Sequence, residues 1–170
     1  MSKVIDSAIR NSSLREFLYD IQDKKDSEKE SKITLQFNDR KNILNLKIVV
    51  CVDVSGSISN EQYKSFMLSL DKIRGLSMIK VIETDTIVVS MYDYFKNRSG
   101  KVFNFKGGGG TDFAEAMKAA VDMKPDAVVF FSDGDDAGNL IDPAIPVAVV
   151  LTKDGSFGYS WMKVCSRVDK

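Results

Sequence analysis

The run Ile48-Val49-Val50-Cys51-Val52-Asp53-Val54-Ser55-Gly56-Ser57 constrains this chain more than any other stretch. An unbroken apolar segment delivers an acid and two hydroxyls, at alternate positions, into a tight turn. A short apolar run rich in β-branched residues, with no polar alternation, reads as a strand buried on both faces, in the centre of a parallel sheet. Its carboxyl end then opens at the sheet edge where open α/β folds take their ligands. Asp53, Ser55 and Ser57 offer only oxygen donors, and Gly56 lets the backbone bend so that both hydroxyls converge. Oxygen donors with few charges suit Mg²⁺ or Mn²⁺, at about 2.0–2.1 Å for Mg²⁺ with several waters retained. The competing reading is a plain strand-to-helix turn in which serine caps the next helix.

Two further segments bear on that choice. Lys106-Gly107-Gly108-Gly109-Gly110-Thr111-Asp112-Phe113 leads from a glycine run into a helical pattern, and Ala127-Val128-Val129-Phe130-Phe131-Ser132-Asp133-Gly134 is a second apolar strand ending in an acid. On these residues the chain resembles a von Willebrand factor A-type (VWA) domain, whose metal-ion-dependent adhesion site (MIDAS) reads Asp-x-Ser-x-Ser, then Thr, then Asp. Asp53, Ser55, Ser57, Thr111 and Asp133 fill those positions in order. The resemblance is strongest to the VWA-like domain at the carboxyl end of bacterial metallopeptidase-like proteins. Gly109-Gly110-Thr111-Asp112-Phe113 and Phe157-Gly158 match its pattern, and the likeness runs from roughly Leu46 to Val164.

The resemblance implies that the Ser and Thr hydroxyls ligate Mg²⁺ (or Mn²⁺ or Ca²⁺) directly while the Asp residues act partly through water. It leaves one coordination position for a Glu or Asp side chain of a partner protein. It further implies a MoxR-type AAA+ ATPase, or that ATPase's substrate, as the partner. An Asp also occurs at a turn matching Asp85, for which a solvated turn residue is the alternative reading.

Composition fits one domain: 170 residues, 44% hydrophobic and 28% charged, suffice for a single buried core. Lys plus Arg and Asp plus Glu balance at 24 each, which gives no general affinity for nucleic acid or anionic membrane. No apolar stretch reaches the roughly 20 residues of a membrane span, and the amino terminus lacks a signal-peptide profile, so a cytoplasmic location is expected. Cys51 and Cys165 have no paired spacing and read as reduced thiols. The count of 0 histidines excludes a Ser-His-Asp triad, a Cys-His pair and a His-Glu-x-x-His zinc helix within these residues. The family pattern carries its peptidase-like motif on a separate amino-terminal domain, which these residues do not contain, so no hydrolytic activity is expected of them.

Along the chain, residues 3–22 show a broken helical periodicity (Val4, Ile5, Ala8, Ile9, Leu14, Phe17, Leu18, Ile21) that predicts one or two helices. Asp23 to Lys32 is densely charged with both signs, a solvated helix end or a connector. Ile33, Leu35 and Phe37 alternate as in an edge strand, and Asn38 to Asn42 supplies a turn. Residues 1–45 thus form an amino-terminal helical extension with an edge strand, and 46–170 the main domain. Ser59-Asn60-Glu61-Gln62 is a capping box for a helix carrying Tyr63, Phe66, Met67, Leu70 and Ile73 until Gly75. Met78–Ile82 and Ile87–Met91 flank a polar connection, as in a hairpin. Tyr92, Tyr94 and Phe95 read as core or loop packing. A second helix is predicted over Thr111–Met123 before Pro125, a last buried strand over Pro146–Leu151, and a terminal helix over Phe157–Val164. Strands alternating with helices assemble into an α/β fold: a doubly wound, mostly parallel sheet with one antiparallel edge hairpin and helices on both faces.

Two enzymatic readings compete. The four glycines before Thr111 could cradle phosphate, yet Lys106 precedes the run and no Gly-Lys-Ser/Thr follows, so the Walker pattern fails. A Mg²⁺-dependent phosphatase of the haloacid dehalogenase type also places Asp at the end of a first strand. It needs a second acid two residues on, and Ser55 stands there. Asp135 and Asp136 read either as charge near the metal or as surface solubility. The expectation is therefore a non-catalytic, metal-dependent protein-binding module, with the phosphatase as the alternative.

Overall fold

Apolar segments too hydrophobic to face water lie side by side as the sheet. The computed structural model describes residues 2–30, 46–73, 77–94, 110–136 and 140–168, with side chains in the first span from Leu14 to Glu28. Strand β1 (Leu46–Asp53) buries every residue except Lys47. It pairs in parallel with β2 (Ser77–Thr84), on which β3 (Val88–Asp93) folds back antiparallel. On its other side β1 pairs in parallel with β4 (Ala127–Ser132), followed outward by β5 (Val147–Thr152) and β6 (Met162–Val168), also parallel. The order is β3-β2-β1-β4-β5-β6. β4 and β5 are buried along their whole length, as strands covered on both faces must be.

Side-chain alternation gives the sheet two faces. Ile48, Val50, Val52 and Phe131 pack under helix α1 (Ser2–Glu30) and helix α2 (Asn60–Asp71) through Leu18, Phe66 and Leu70. Val49, Cys51, Val128 and Phe130 pack under helix α3 (Ala114–Asp122) through Met117 and Ala120. Phe66 stacks on Phe131 at 5.2 Å between ring centres, and Phe113 tilts against Phe130 at 5.2 Å. Each such pair adds about 0.5–1.5 kcal/mol beyond the area it buries.

The predicted capping box is present: Gln62 N–H donates to Ser59 Oγ at 3.2 Å and Ser59 N–H donates to Gln62 Oε1 at 2.8 Å. The helix ends at Asp71, ahead of Gly75, which lies outside the described residues. α1 is one helix, and its charged end is the solvated helix end of the two readings. Lys25 on that end bonds Asp126 at 2.8 Å, and Asp126 also accepts the Lys47 N–H at 2.7 Å, which ties α1 to the amino ends of β1 and β4. Helix α3 starts later than predicted, at Ala114, because Thr111 to Phe113 form its irregular approach.

One prediction is overturned. Phe157 to Val164 is not a terminal helix: the chain is irregular to Trp161 and then enters β6. Phe157, Tyr159 and Trp161 pack successively at 5.6 and 5.4 Å, and a turn closed by Met162 N–H donating to Tyr159 O at 3.2 Å leads into β6. β5 is accordingly the penultimate strand. The predicted edge strand at Ile33–Phe37, the turn at Asn38–Asn42, Phe95 and Gly107–Gly109 lie outside the described residues.

Candidate metal centre

Asp53 follows Cys51 by two residues, so it emerges on the α3 face where β1 ends; Ser132 follows Phe130 by two and emerges beside it. The strands β1 and β4 are neighbours whose onward connections run to opposite sides of the sheet, which makes this the crevice where an open α/β sheet binds ligands. Ser132 Oγ donates to Asp53 Oδ2 at 2.7 Å, and Ser55 N–H donates to Oδ1 at 2.9 Å. Ser55 Oγ lies 3.1 Å from Ser57 Oγ, so the loop carries a continuous row of oxygens from the buried carboxylate to the exposed Ser57. Gly134 N–H in turn donates to Ser132 Oγ at 2.9 Å.

The six buried polar or charged side chains among the described residues are Asp53, Ser55, Thr84, Thr111, Ser132 and Thr152. All lie at the carboxyl ends of parallel strands or in the segments beside them. A core that is otherwise apolar thus concentrates its buried polar groups at one rim. Burial raises the Asp53 carboxyl above its ordinary value, against hydrogen bonds from Ser55 and Ser132 that lower it, and the negative charge of Asp133 raises it further. A cation at the rim would relieve both the burial and the like charge.

Asp133 and Ser57 share the wall of a cavity of about 480 Å³ with the segment Thr152 to Ser156. Two glycines allow that segment to approach β4. A Cβ on Gly134, whose φ is +83°, would fall 2.0 Å from the Ser156 carbonyl oxygen, and one on Gly155 would fall 2.3 Å from that of Asp133. Ser156 N–H donates to Asp133 O at 3.1 Å across this contact.

The structure brings Asp53, Ser55, Ser57 and Asp133 to one place; Thr111 lies on the approach to α3. It is 7% exposed, and its hydroxyl makes no hydrogen bond among the described residues. Its neighbours are fixed on both sides: Asp112 N–H donates to Asp85 O at 2.9 Å, and Phe113 N–H to Asp136 Oδ1 at 3.1 Å. Asp85 Oδ1 serves its own turn, accepting from Thr86 N–H at 2.5 Å and Ile87 N–H at 3.1 Å. Asp136 also accepts from Tyr159 Oη at 2.8 Å, so it joins α3 to the segment before β6, and solubility does not account for it. Asp135 is exposed and lines the cavity.

The family model of the VWA-like domain (DUF2201) matches residues 48–166. The chain belongs to the VWA-like domain family. In general terms that membership marks it as a protein-interaction module. A comparison with curated proteins finds no match. Among the described residues of this VWA-like domain no group of three or more His, Cys, Asp or Glu side chains converges as a metal-binding set. Hydroxyls and the Asp53 and Asp133 carboxylates are therefore the donors on hand, a set that fits a hard divalent cation rather than a soft one. No helix among the described residues is long and apolar enough to cross a membrane.

Sequence reasoning passed over Ser132, Thr152 and Gly155. The signal for the first two was legible: β1, β4 and β5 each end on an oxygen-bearing residue, Asp53, Ser132 and Thr152. Cys51 and Cys165 are free and buried on opposite faces of the sheet, in separate clusters, which keeps them from pairing.

Proposed function

We propose that this VWA-like domain is a non-catalytic protein-binding module whose rim captures an acidic side chain of a partner through a divalent cation, Mg²⁺ first among candidates. The observation that carries the reading is the convergence of Asp53, Ser55, Ser57 and Asp133, all oxygen donors, at the crevice between β1 and β4. Thr111 would complete the donor set from the approach to α3, where it is buried. Bound there, the cation supplies Lewis acidity that attracts an external carboxylate.

The chain's own residues do the rest. Ser132 holds one oxygen of Asp53 and the Ser55 N–H holds the other, which fixes the carboxylate at the base of the site. Ser55 and Ser57 extend that order outward to the surface. The same geometry argues against Asp53 as a phosphatase nucleophile. It is fully buried, both of its oxygens already accept hydrogen bonds, and the position two residues on is Ser55.

By family resemblance the partner is a MoxR-type AAA+ ATPase or that ATPase's substrate, encountered in the cytoplasm. The test is capture of partners from the native lysate on immobilised wild type with Mg²⁺, on wild type with chelator, and on Asp53→Asn with Mg²⁺. A protein held only in the first arm is the expected result. Equal retention in all three arms removes the metal from the account, and turnover of a generic phosphoester that Asp53→Asn abolishes would restore the enzymatic alternative.

A further inference from the structure

The most exposed large apolar side chain among the described residues is Ile141, at 83%. A lone exposed isoleucine is ordinary, but this one stands at the lip of an apolar pocket. The pocket, of about 270 Å³, lies between α3 and the segment leading from β4 to β5, and Met117, Val121, Leu140 and Pro143 line it together with Ile141. That volume falls below the roughly 300–1,000 Å³ of small-molecule sites and suits one aliphatic side chain. The backbone holds Ile141 away from the core. On one side Leu140 is buried and its N–H donates to Tyr159 Oη at 3.1 Å. On the other, Asp142 Oδ1 accepts the Ala144 N–H at 2.8 Å, and Ala144 sits at a φ of +56°, a left-handed conformation that a non-glycine residue keeps only where its surroundings impose it.

The same patch therefore carries a knob and a hole. It also carries both signs of charge: Lys118 on α3 stands with Asp122 and Asp142 around the pocket, and no ion pair among the described residues joins them. A surface that offers a projection, a socket and both charges complements itself across a two-fold axis, where each feature meets its counterpart in the other copy. We infer that this face pairs with a second copy of the chain, Ile141 of each copy entering the pocket of the other and Lys118 facing an aspartate across the interface. A small apolar ligand in the pocket would leave Ile141 in water, whereas the two-fold buries both isoleucines. The patch is small, so the pair is a weak one. The pocket shares no lining residue with the cavity at the rim, so both rims stay open in the pair. On the metal-dependent reading, on which this last consequence alone rests, the dimer grips a multivalent partner more tightly than one domain can.

Analytical ultracentrifugation from about 10 μM to 1 mM in EDTA tests the pairing apart from the metal. The inference expects the mass to rise from monomer toward dimer, half-complete on the order of 100 μM. Amide shifts of the ¹⁵N-labelled protein over the same series should centre on residues 114–122 and 140–144. Ile141→Asp, at an exposed position, should raise the dissociation constant about tenfold. Lys118→Glu, which leaves only negative charge around the pocket, should raise it about fivefold, and Lys118→Glu/Asp122→Lys, which restores both signs, should return it to within about twofold of wild type. A monomer at every concentration overturns the inference and gives the pocket to another occupant. Self-association that Ile141→Asp leaves unchanged, or shifts centred on another face, overturns it equally. None of these results bears on the metal reading, because no divalent cation is free in the experiment.

Discussion

Asp53 carries a charge into a place with no access to water, and its two hydrogen bonds only partly offset that burial. A carboxyl whose folded pKa exceeds its unfolded one binds its proton more tightly in the folded state. The stability it gives is full below the ordinary value of 3.8 and is lost as pH rises through the raised folded value. In chelator, Asp53→Asn should therefore gain urea stability relative to wild type as pH climbs above about 4; parallel pH profiles would contradict the strained carboxylate. Gly155 is a second residue whose identity the site fixes. Its missing Cβ would meet the Asp133 backbone at 2.3 Å, and backbone on both sides cannot step aside. Gly155→Ala should cost about 1–3 kcal/mol in a urea titration, and a silent substitution would show that the two segments are not in contact. The five metal candidates could be named from residue types and order alone. Which of them converge could not, because that depends on the side-chain parity of β1 and β4 and on the Gly134–Ser156 approach.

At the scale of elements, α2 begins three residues after Ser57, so its first turn anchors the loop that bears both serines. The capping box does this from one end. From the other, Tyr63 Oη donates to Glu83 at 2.6 Å, and Glu83 also accepts from Ser90 at 2.6 Å and Tyr92 at 3.0 Å, binding α2 to β2 and β3. Ser59→Ala should destabilise the domain by about 1 kcal/mol, as loss of a cap does, measured by thermal unfolding. No change would mean that the Tyr63–Glu83 bond alone sets the helix start. The capping box and the hairpin were readable because each is a local pattern in contiguous residues. β6 was not: its buried Met162 and Cys165 are spaced like a helix face, and a turn closed by Met162 N–H on Tyr159 O sets it apart from the aromatic residues before it.

At the scale of the molecule, one sheet with helices on both faces joins every described element, and the two cysteines report on its two sides. Burial pushes the Cys165 thiol up to about 11 and raises Cys51 as well, so neither is reactive at neutral pH while the fold is closed. Pulsed alkylation across a urea series should show both thiols becoming reactive in one transition. Earlier reaction of Cys165 would show β6 leaving the sheet by itself. The apolar runs of β1, β4 and β5 made the central sheet legible, since nothing but burial on both faces accommodates them. The placement of α1 across the sheet was not legible, because it depends on Lys25 and Leu46 meeting Asp126 and the core from distant parts of the chain.

The central claim is that Asp53, Ser55, Ser57, Thr111 and Asp133 hold one divalent cation. Titration of the ¹⁵N-labelled domain with Mn²⁺ tests it most directly, because paramagnetic broadening detects weak occupancy and locates it. The account predicts selective loss of the amide signals of residues 53–57, 111–112 and 133–135 at low Mn²⁺, displaced by excess Mg²⁺ and abolished in Asp53→Asn. Broadening centred elsewhere, or unchanged by that substitution, would contradict it.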